Sequence, residues 1–257
     1  MSVIGFLVYI TLIGSKMTEK NVFRGAFMCM SPKYIKNPGA LDLFPSWKRF
    51  ITIPCGKCDE CRTSKAREWG MRCVAEFVSL NDIERSRCWF ITLTYSDDFN
   101  KGYLVKSDMK KFIKDLRNKY RNLRLKYFYC GEYGTKTFRP HYHLILFNCP
   151  IDDLESFGKT KSGNVNFVSK TIDKIWGKGI VSIGRLNLAS ACYTARYALK
   201  KNDTDCYQRM SQGIGKKFFF QNMNEIISNG CIGVPNGIGG ISYGRIPRYF
   251  LSLYRKY

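Results

Sequence analysis

The chain has 257 residues, of which 45% are apolar and 15% aromatic, enough to bury a substantial core and to exclude a disordered chain. With 42 Lys and Arg against 20 Asp and Glu, its net charge of +22 favours a polyanionic partner, usually nucleic acid, over a protein that is merely basic. The 11 cysteines are an odd number in a chain too long for a small secreted disulfide scaffold, so we expect a reducing compartment.

The amino-terminal residues, 1–20, are expected to be a leader or an extended start. Residues 3–13 are apolar, but this run is shorter than the ~20 residues that cross a bilayer, and no basic segment precedes it as in a signal peptide. Met17 offers a plausible alternative start. We therefore expect no membrane partner.

The next segments predict an irregular stretch followed by a helix and a strand. Residues 21–60 are rich in Pro, Gly and Cys, and we expect them to be irregular. Apolar residues recur at spacings of three and four over 62–80, which predicts a helix. Strict alternation predicts a strand over 89–95, and a second helix is expected to follow from Ser107, which would be its N-cap.

The second half of the chain predicts a hairpin and one more helix. Strands are expected over 125–130 and 141–147, joined by a hairpin-like loop over 131–140. A helix is predicted over 189–201, and Gly-rich irregular sequence with a short basic aromatic end is expected beyond Asp203. Strands interspersed with helices around a central hairpin predict an α+β fold.

Both histidines of the chain lie in the strand predicted over 141–147. His141 and His143 are two residues apart, so their imidazoles point to one face of a sheet and could bind a single divalent ion. Glu132, just past the end of the neighbouring strand, could be brought beside them by the hairpin. Two imidazoles and a carboxylate suit Mn²⁺ or Mg²⁺ with open positions for phosphate oxygens. The alternative is a chance pair of half-buried histidines and a solvated carboxylate.

Two tyrosines lie in the helix predicted over 189–201. Tyr193 and Tyr197 are four residues apart and share one helical face, with Lys200 and Lys201 on or near it. A phenol with a pKa of ~10 is a weak nucleophile at neutral pH, and nearby cations and a metal would favour the phenolate and hold a phosphate. The alternative is two core tyrosines with solvated lysines.

Three cysteines follow one another at intervals of three. Cys55, Cys58 and Cys61 could hold zinc, with Cys29 or Cys73 as a fourth thiolate. The run is only half of the usual zinc pattern, so two alternatives stay open. One is a turn whose reduced cysteines act as small apolar residues, and the other is an iron–sulfur cluster.

Together these residues resemble the HUH endonucleases, and in particular the replication initiators of gokushovirus-like Microviridae, small phages with single-stranded DNA. Residues 90–94 resemble the first motif of the family, His141-Tyr142-His143 its His-hydrophobe-His motif, and 193–201 its two-tyrosine motif. The resemblance also includes Met28 to Pro32 and Ile53 to Arg62, and it covers about residues 22–205, with a weaker echo at 245–249.

The resemblance implies a fold in which helices pack on a central antiparallel sheet. Its domains would be a Cys-rich segment with a helix over 21–84, a nicking domain over 85–205 and a basic aromatic extension over 206–257. The metal-binding residues would be Glu132 and the histidines, and the catalytic residues Tyr193, Tyr197, Lys200 and Lys201.

The resemblance also implies a rolling-circle mechanism. One tyrosine attacks the origin phosphate in single-stranded or melted DNA, leaving a 5′-phosphotyrosyl enzyme and a free 3′ hydroxyl for the host polymerase. The second tyrosine cuts the regenerated origin, and the displaced strand is closed into a circle. Because the sequence has no Gly-x-x-x-x-Gly-Lys-Ser/Thr loop, the helicase would also come from the host, in the cytoplasm of the infected bacterium. The alternatives are a non-catalytic zinc-containing DNA-binding protein and an HUH relaxase or plasmid initiator.

Overall fold

A computed structural model of the protein describes residues 29–36, 50–134, 136–160, 163–188, 190–191, 207–236 and 239–257. The chain forms two compact units, Met1–Cys61 and Arg62–Tyr257. No helix within the described ranges is long and apolar enough to cross a membrane. The leader predicted over 1–20 lies outside these ranges.

The first unit contains a short antiparallel hairpin. Strand β1 (Lys33–Lys36) pairs with β2 (Phe50–Ile53), with Lys33 opposite Ile53 and Lys36 opposite Phe50. The prediction that 21–60 is irregular is therefore wrong for these two segments. Both strands are built around isoleucine and an aromatic residue, which favour extended backbone.

The rest of the chain contains helices and strands of different lengths, and the longest is a helix of 20 residues near its start. The helices are α1 (Asp59–Val78), α2 (Asp82–Ser86), α3 (Lys106–Lys119), α4 (Lys170–Trp176), α5 (Lys216–Gln221), α6 (Met223–Ser228) and α7 (Arg248–Tyr254). The strands are β3 (Trp89–Tyr95), β4 (Lys126–Tyr133), β5 (Pro140–Phe147), β6 (Leu154–Lys159), β7 (Val165–Ser169), β8 (Gly179–Arg185), β9 (Tyr207–Met210), β10 (Ile232–Pro235) and β11 (Ile241–Gly244).

Seven of these strands form one antiparallel sheet in the order β6-β7-β8-β3-β5-β4-β9. The α+β class and the central antiparallel sheet are confirmed. Strand β3 has the predicted bounds, and its buried residues alternate with half-buried ones as the sequence pattern requires. The hairpin of β4 and β5 lies between β3 and the edge strand β9, and it is this hairpin that positions the candidate site.

The two faces of the sheet bury different sets of side chains. On one face, Leu93, Tyr142 and Leu144 pack with Phe112 of α3 and Trp176 of α4. On the other face, a second core contains side chains from β4 and β5 and from four helices. Its fully buried members include Val74, Phe128, Ile145, Phe147, Phe219 and Phe250. His141 and His143 alternate with the residues of the first face and therefore share the second face with Ile145 and Phe147.

The predicted start of the helix at Ser107 is wrong. Helix α3 begins at Lys106, so its N-cap is Val105 and not Ser107, and no side chain caps it. The carbonyl of Val105 instead accepts hydrogen bonds from the Asp108 amide and the Tyr142 hydroxyl, both at 3.1 Å. The first of these bonds satisfies one amide of the first turn locally, and the second anchors Val105 to Tyr142 of β5.

The prediction of irregular sequence beyond Asp203 is also wrong. Strand β9 extends the central sheet beside β4, and α5, α6, α7 and the β10–β11 hairpin follow it. Ile214, Phe219 and Phe250 from this part of the chain are fully buried in the second core. The carboxyl-terminal segment is thus an integral part of the unit Arg62–Tyr257.

Candidate metal centre

The candidate centre is formed by facing residues of a single hairpin. In the register of β4 and β5, Glu132 lies directly opposite His141, and Cys130 lies opposite His143. Directly opposed residues of an antiparallel pair point to the same face, as do residues two apart on one strand. The side chains of Glu132, His141 and His143 therefore converge on the second face of the sheet, near the turn of the hairpin.

The three side chains are within hydrogen-bond distance of one another. Glu132 Oε1 is 3.0 Å from His141 Nε2 and 2.9 Å from His143 Nε2. All three possible ligand atoms lie within 4.8 Å of one another. The predicted shared orientation of the two imidazoles is thus confirmed. The prediction that Glu132 lies beyond the end of its strand is wrong, because β4 continues through Tyr133.

Further contacts fix how each imidazole is oriented. His141 Nδ1 is 3.1 Å from the carbonyl of Arg139, and His143 Nδ1 is 3.1 Å from the Thr92 hydroxyl on β3. The ring of Phe90 stacks on His143 with their centroids 5.4 Å apart. Contacts of this kind on the far nitrogen are typical of metal-binding histidines, because they leave Nε2 to face the ion.

The carboxylate of Glu132 is ionised over the physiological pH range. Burial alone would raise its pKa, and the side chain is almost entirely enclosed, but the hydrogen bonds with His141 and His143 outweigh burial and lower the pKa to about 2. A depressed pKa keeps the negative charge that a metal ligand needs. The site therefore presents one fixed negative charge between two imidazoles.

The donor set fits a divalent cation. A carbonyl accepts only, so Nδ1 of His141 must donate to Arg139, and the Nε2 of a neutral ring then carries a lone pair. That lone pair could coordinate a cation, with Glu132 Oε1 3.0 Å away as a second ligand atom. With no ion bound, a proton on Nε2 would instead make the hydrogen bond to the carboxylate. Two imidazoles and one carboxylate would leave open positions for further oxygen ligands.

The predicted catalytic residues Tyr193, Tyr197, Lys200 and Lys201 lie outside the described residues, as does most of the helix predicted over 189–201. The beginning of that helix is described. Leu188, Ser190 and Ala191 are helical, and the amide of Ala191 donates to the carbonyl of Asn187 at 2.9 Å.

Asn187 caps this helical turn. Its side-chain oxygen accepts from the amide of Ser190 at 2.7 Å, and the Ser190 hydroxyl accepts from the amide of Asn187 at 2.9 Å. Ala191 is fully buried in the second core, on the sheet face that carries the histidines. Ala191, the last described residue before the two-tyrosine stretch, therefore lies on the same face of the sheet as the candidate metal centre.

The predicted cysteine group lies in the other unit. Cys55, Cys58 and Cys61 come together, and Cys29 joins them as a possible fourth ligand. Cys73, the other candidate for that position, is buried among apolar side chains of the second core.

Two residues at the metal centre were not predicted. Thr92 and Phe90 both contact His143, and both belong to the face of β3 that the alternation separates from Ile91 and Leu93. A threonine on a strand beside the histidine strand can orient an imidazole ring, so Thr92 was a possible candidate. It could not be chosen from the sequence, because local sequence does not show that β3 pairs with β5.

The chain is similar in sequence to replication-associated proteins. A family model whose description begins "Replication-associated protein ORF2" matches residues 88–202. "Replication-associated protein ORF2" of Spiroplasma virus 4 is 38% identical over 217 residues, which cover 77% of this chain and 66% of the relative. "Replication-associated protein VP4" of Bdellovibrio phage phiMH2K is 36% identical over 228 residues, covering 80% of this chain and 68% of the relative.

A more distant relative, "Replication-associated protein ORF4" of Chlamydia phage 1, is 27% identical over 238 residues, which cover 84% of this chain and 57% of the relative. The chain thus spans about two thirds or less of the length of these relatives. No solved structure matches it. The sheet, the family match and these relatives define a replication-associated protein of the kind found in small phages. The chain belongs to the family of replication-associated proteins that this model describes.

Proposed function

We propose that this protein initiates rolling-circle replication of a small phage genome by nicking one DNA strand at the origin. In this reaction the protein joins itself to the new 5′ phosphate through a tyrosine and later closes the displaced strand into a circle. The observation that carries the proposal is the convergence of Glu132, His141 and His143 on one face of the sheet, within the family-matched segment. Tyr193 and Tyr197 also belong to that segment.

The chain's own residues provide the environment for a metal ion. Glu132, His141 and His143 would hold Mg²⁺ or Mn²⁺, and such an ion, when bound, polarises a phosphodiester and stabilises charge on its oxygens. The Arg139 carbonyl and the Thr92 hydroxyl keep the two rings oriented. Because both contacts come from the protein itself, the site needs little rearrangement when the substrate arrives.

Tyr193 or Tyr197 supplies the nucleophile. After its proton is lost to solvent, the phenolate oxygen forms a bond to the phosphorus while the bond from phosphorus to the 3′ oxygen breaks. The 3′ oxygen then takes up a proton and becomes a free hydroxyl. Lys200 and Lys201 favour the phenolate and offset the charge of the phosphate.

The tyrosine–phosphate ester allows the reaction to be reversed on a new strand end. A 3′ hydroxyl of the displaced strand attacks the phosphotyrosine, restores a phosphodiester and releases the phenol. On the helix that the sequence predicts over 189–201, two tyrosines four residues apart would be separated by ~6 Å along the axis and by about 400° of rotation, and would point nearly the same way. Each can therefore serve in turn at one phosphate.

The charge of the chain supports a DNA substrate. A net charge of +22 provides general, sequence-independent affinity for phosphates, and the proposed substrate is single-stranded or melted origin DNA. The 3′ hydroxyl serves the host polymerase, and a host helicase opens the duplex. The reaction would take place in the cytoplasm of the infected bacterium.

The alternative of a non-catalytic zinc-containing DNA-binding protein explains the charge and the cysteines. It gives no role to a buried carboxylate between two oriented imidazoles. A relaxase or plasmid initiator would share the metal centre, but the relatives described above are phage proteins, which favours the phage initiator.

The test is a search for a covalent protein–DNA adduct. The full chain is incubated with Mn²⁺ and single-stranded oligonucleotides that tile the phage genome, labelled at either end, and resolved on a denaturing gel. Because the tyrosine stays on the 5′ phosphate of the downstream fragment, a 3′ label should move with the protein. A 5′ label should appear on a shortened free strand.

Tyrosine variants complete this experiment. The double variant Tyr193→Phe, Tyr197→Phe should form no adduct, whereas Tyr243→Phe, at an exposed tyrosine outside the family-matched segment, should behave as wild type. An adduct that carries the 5′ label, or one that persists in the double variant, would show that the proposed chemistry is wrong.

A further inference from the structure

Four cysteine thiols of the unit Met1–Cys61 lie close together. The Sγ atoms of Cys55 and Cys61 are 3.9 Å apart, as are those of Cys58 and Cys29, and all four lie within 4.8 Å of one another. Thiolates at the corners of a tetrahedron with zinc–sulfur bonds of ~2.3 Å are ~3.8 Å apart. The observed spacing therefore matches one tetrahedrally coordinated ion.

Two other interpretations of the cluster fit less well. All four cysteines are free thiols, so the group is not a pair of disulfides. The thiolates around an iron–sulfur cluster are held further apart than those around one ion, because iron and sulfide atoms lie between them. The compact arrangement therefore favours a single metal ion.

The backbone around the cysteines directs amide groups at the sulfur atoms. The amides of Lys57 and Cys58 donate to Cys55 Sγ at 3.4 and 3.3 Å, and the amide of Cys55 donates to Cys29 Sγ at 3.2 Å. The turn requires Gly56, whose φ of +75° is strained for any other residue. Such hydrogen bonds favour the thiolate, which is the form that binds metal.

The described residues of the first unit gain no stability from an apolar core of their own. None of its described residues, 29–36 and 50–61, is buried. An isolated two-stranded hairpin is marginally stable in water. Cys29 lies just before β1, Cys55 lies just after β2, and Cys61 lies in the first turn of α1. One ion would therefore tie the open end of the β1–β2 hairpin to the start of a helix.

We propose that Cys29, Cys55, Cys58 and Cys61 bind one structural zinc ion that holds this hairpin in place. The ion is closed off by four protein ligands and has no open position, which distinguishes it from the centre at Glu132. Binding releases the remaining thiol protons and supplies stability to the described part of the unit, 29–36 and 50–61, where no residue is buried. The four cysteines have no part in the nicking chemistry.

Metal analysis of the full chain tests the proposal. The protein is purified under reducing conditions both as wild type and as the His141→Ala, His143→Ala variant, so that metal at the other centre is not counted. The double variant should retain one zinc per chain. Loaded with Co²⁺, it should show the intense visible bands and the sulfur-to-cobalt charge transfer of a tetrahedral four-thiolate site.

Single cysteine variants in the same background identify the fourth ligand. Cys29→Ser should weaken the zinc affinity at least about tenfold against a competing chelator and reduce the charge-transfer intensity. Cys231→Ser, at a half-exposed cysteine outside the cluster, should change neither. A reduced protein that binds no zinc or cobalt, one that contains iron, or a Cys29→Ser variant with an unchanged cobalt spectrum would overturn the proposal. The spectrum of the parent protein decides the matter even if Cys29→Ser fails to fold.

Discussion

The variant Glu132→Gln tests whether the triad binds a divalent ion without changing the space that the side chain fills. Glu132 lies 3.0 and 2.9 Å from the two imidazoles and is 1% exposed. Hydrogen bonds to a charged group contribute ~1.5–3 kcal/mol, and an amide keeps part of this contribution. In chelator, we expect the variant to unfold with a free energy about 1–3 kcal/mol below that of wild type.

The stability of Glu132→Gln should differ more from that of wild type when Mn²⁺ is added. At one hundred times its dissociation constant, an ion that binds only the folded state stabilises it by ~2.7 kcal/mol. For a chain of this size that corresponds to a rise in Tm of roughly 5–11 °C. The neutral amide of the variant cannot offset the charge of the ion, so Mn²⁺ should raise its Tm by far less.

The assay is thermal unfolding across a Mn²⁺ series, with each protein compared with itself in chelator. Glu155→Gln is the matched control, because Glu155 is an exposed carboxylate on β6 that pairs with Lys170 at 3.5 Å, away from the histidines. It should gain as much stability as wild type. Equal stabilisation of Glu132→Gln and wild type would refute a metal site at Glu132.

Three further predictions concern the nucleophile, the DNA and the fold. Removing one hydroxyl, as Tyr193→Phe or Tyr197→Phe, should leave single nicking largely intact but impair repeated cleavage and circle closure. Mass spectrometry of the trapped adducts can follow this, and one fully active and one inactive variant would instead indicate a single-tyrosine initiator. Affinity for single-stranded DNA should fall with salt by roughly 0.7 log units per log unit for each phosphate contacted, so a flat response would contradict an electrostatic interface. Lys126→Met should lower the free energy of unfolding by about 3–5 kcal/mol in urea, because it leaves the buried Glu76 carboxylate without the ammonium 2.6 Å away, and adding Glu76→Gln should recover part of the loss.

The central elements of the fold could be predicted because they are long and strongly patterned. The alternation over 89–95 gives the bounds of β3, and the spacing of three and four gives most of α1. The shared face of His141 and His143 follows from the same period of two. These features depend on local sequence alone.

The position of Glu132 shows what local sequence does not reveal. The strand was expected to end at residue 130, but β4 continues through Gly131 to Tyr133, and packing disfavours a side chain at Gly131. A Cβ atom at Gly131 would lie 3.0 Å from both Leu104 Cδ2 and Tyr142 Cε1. The close approach of these side chains comes from distant parts of the chain, so the residue type is a consequence of the tertiary structure and not of a turn.

The carboxyl-terminal elements were missed for a related reason. Each of β9, α5, α6, β10, β11 and α7 has between four and seven residues, too few to show a period. Gly215 belongs to the Gly-rich sequence that was predicted to be irregular; its φ is +77°, and a Cβ there would lie 2.8 Å from Phe250 Cζ. Here the glycine allows α7 to pack closely, and long-range burial decides the structure.

Metal-dependent cleavage by the wild-type protein and by its His141→Ala, His143→Ala variant tests the central claim most directly. Both are incubated with 3′-labelled single-stranded DNA that contains the origin, with Mn²⁺ or with excess chelator. We expect a labelled covalent adduct only for wild type and only with Mn²⁺. An adduct of undiminished yield in the double variant, or in chelator, would contradict the claim that this hairpin holds the catalytic metal ion.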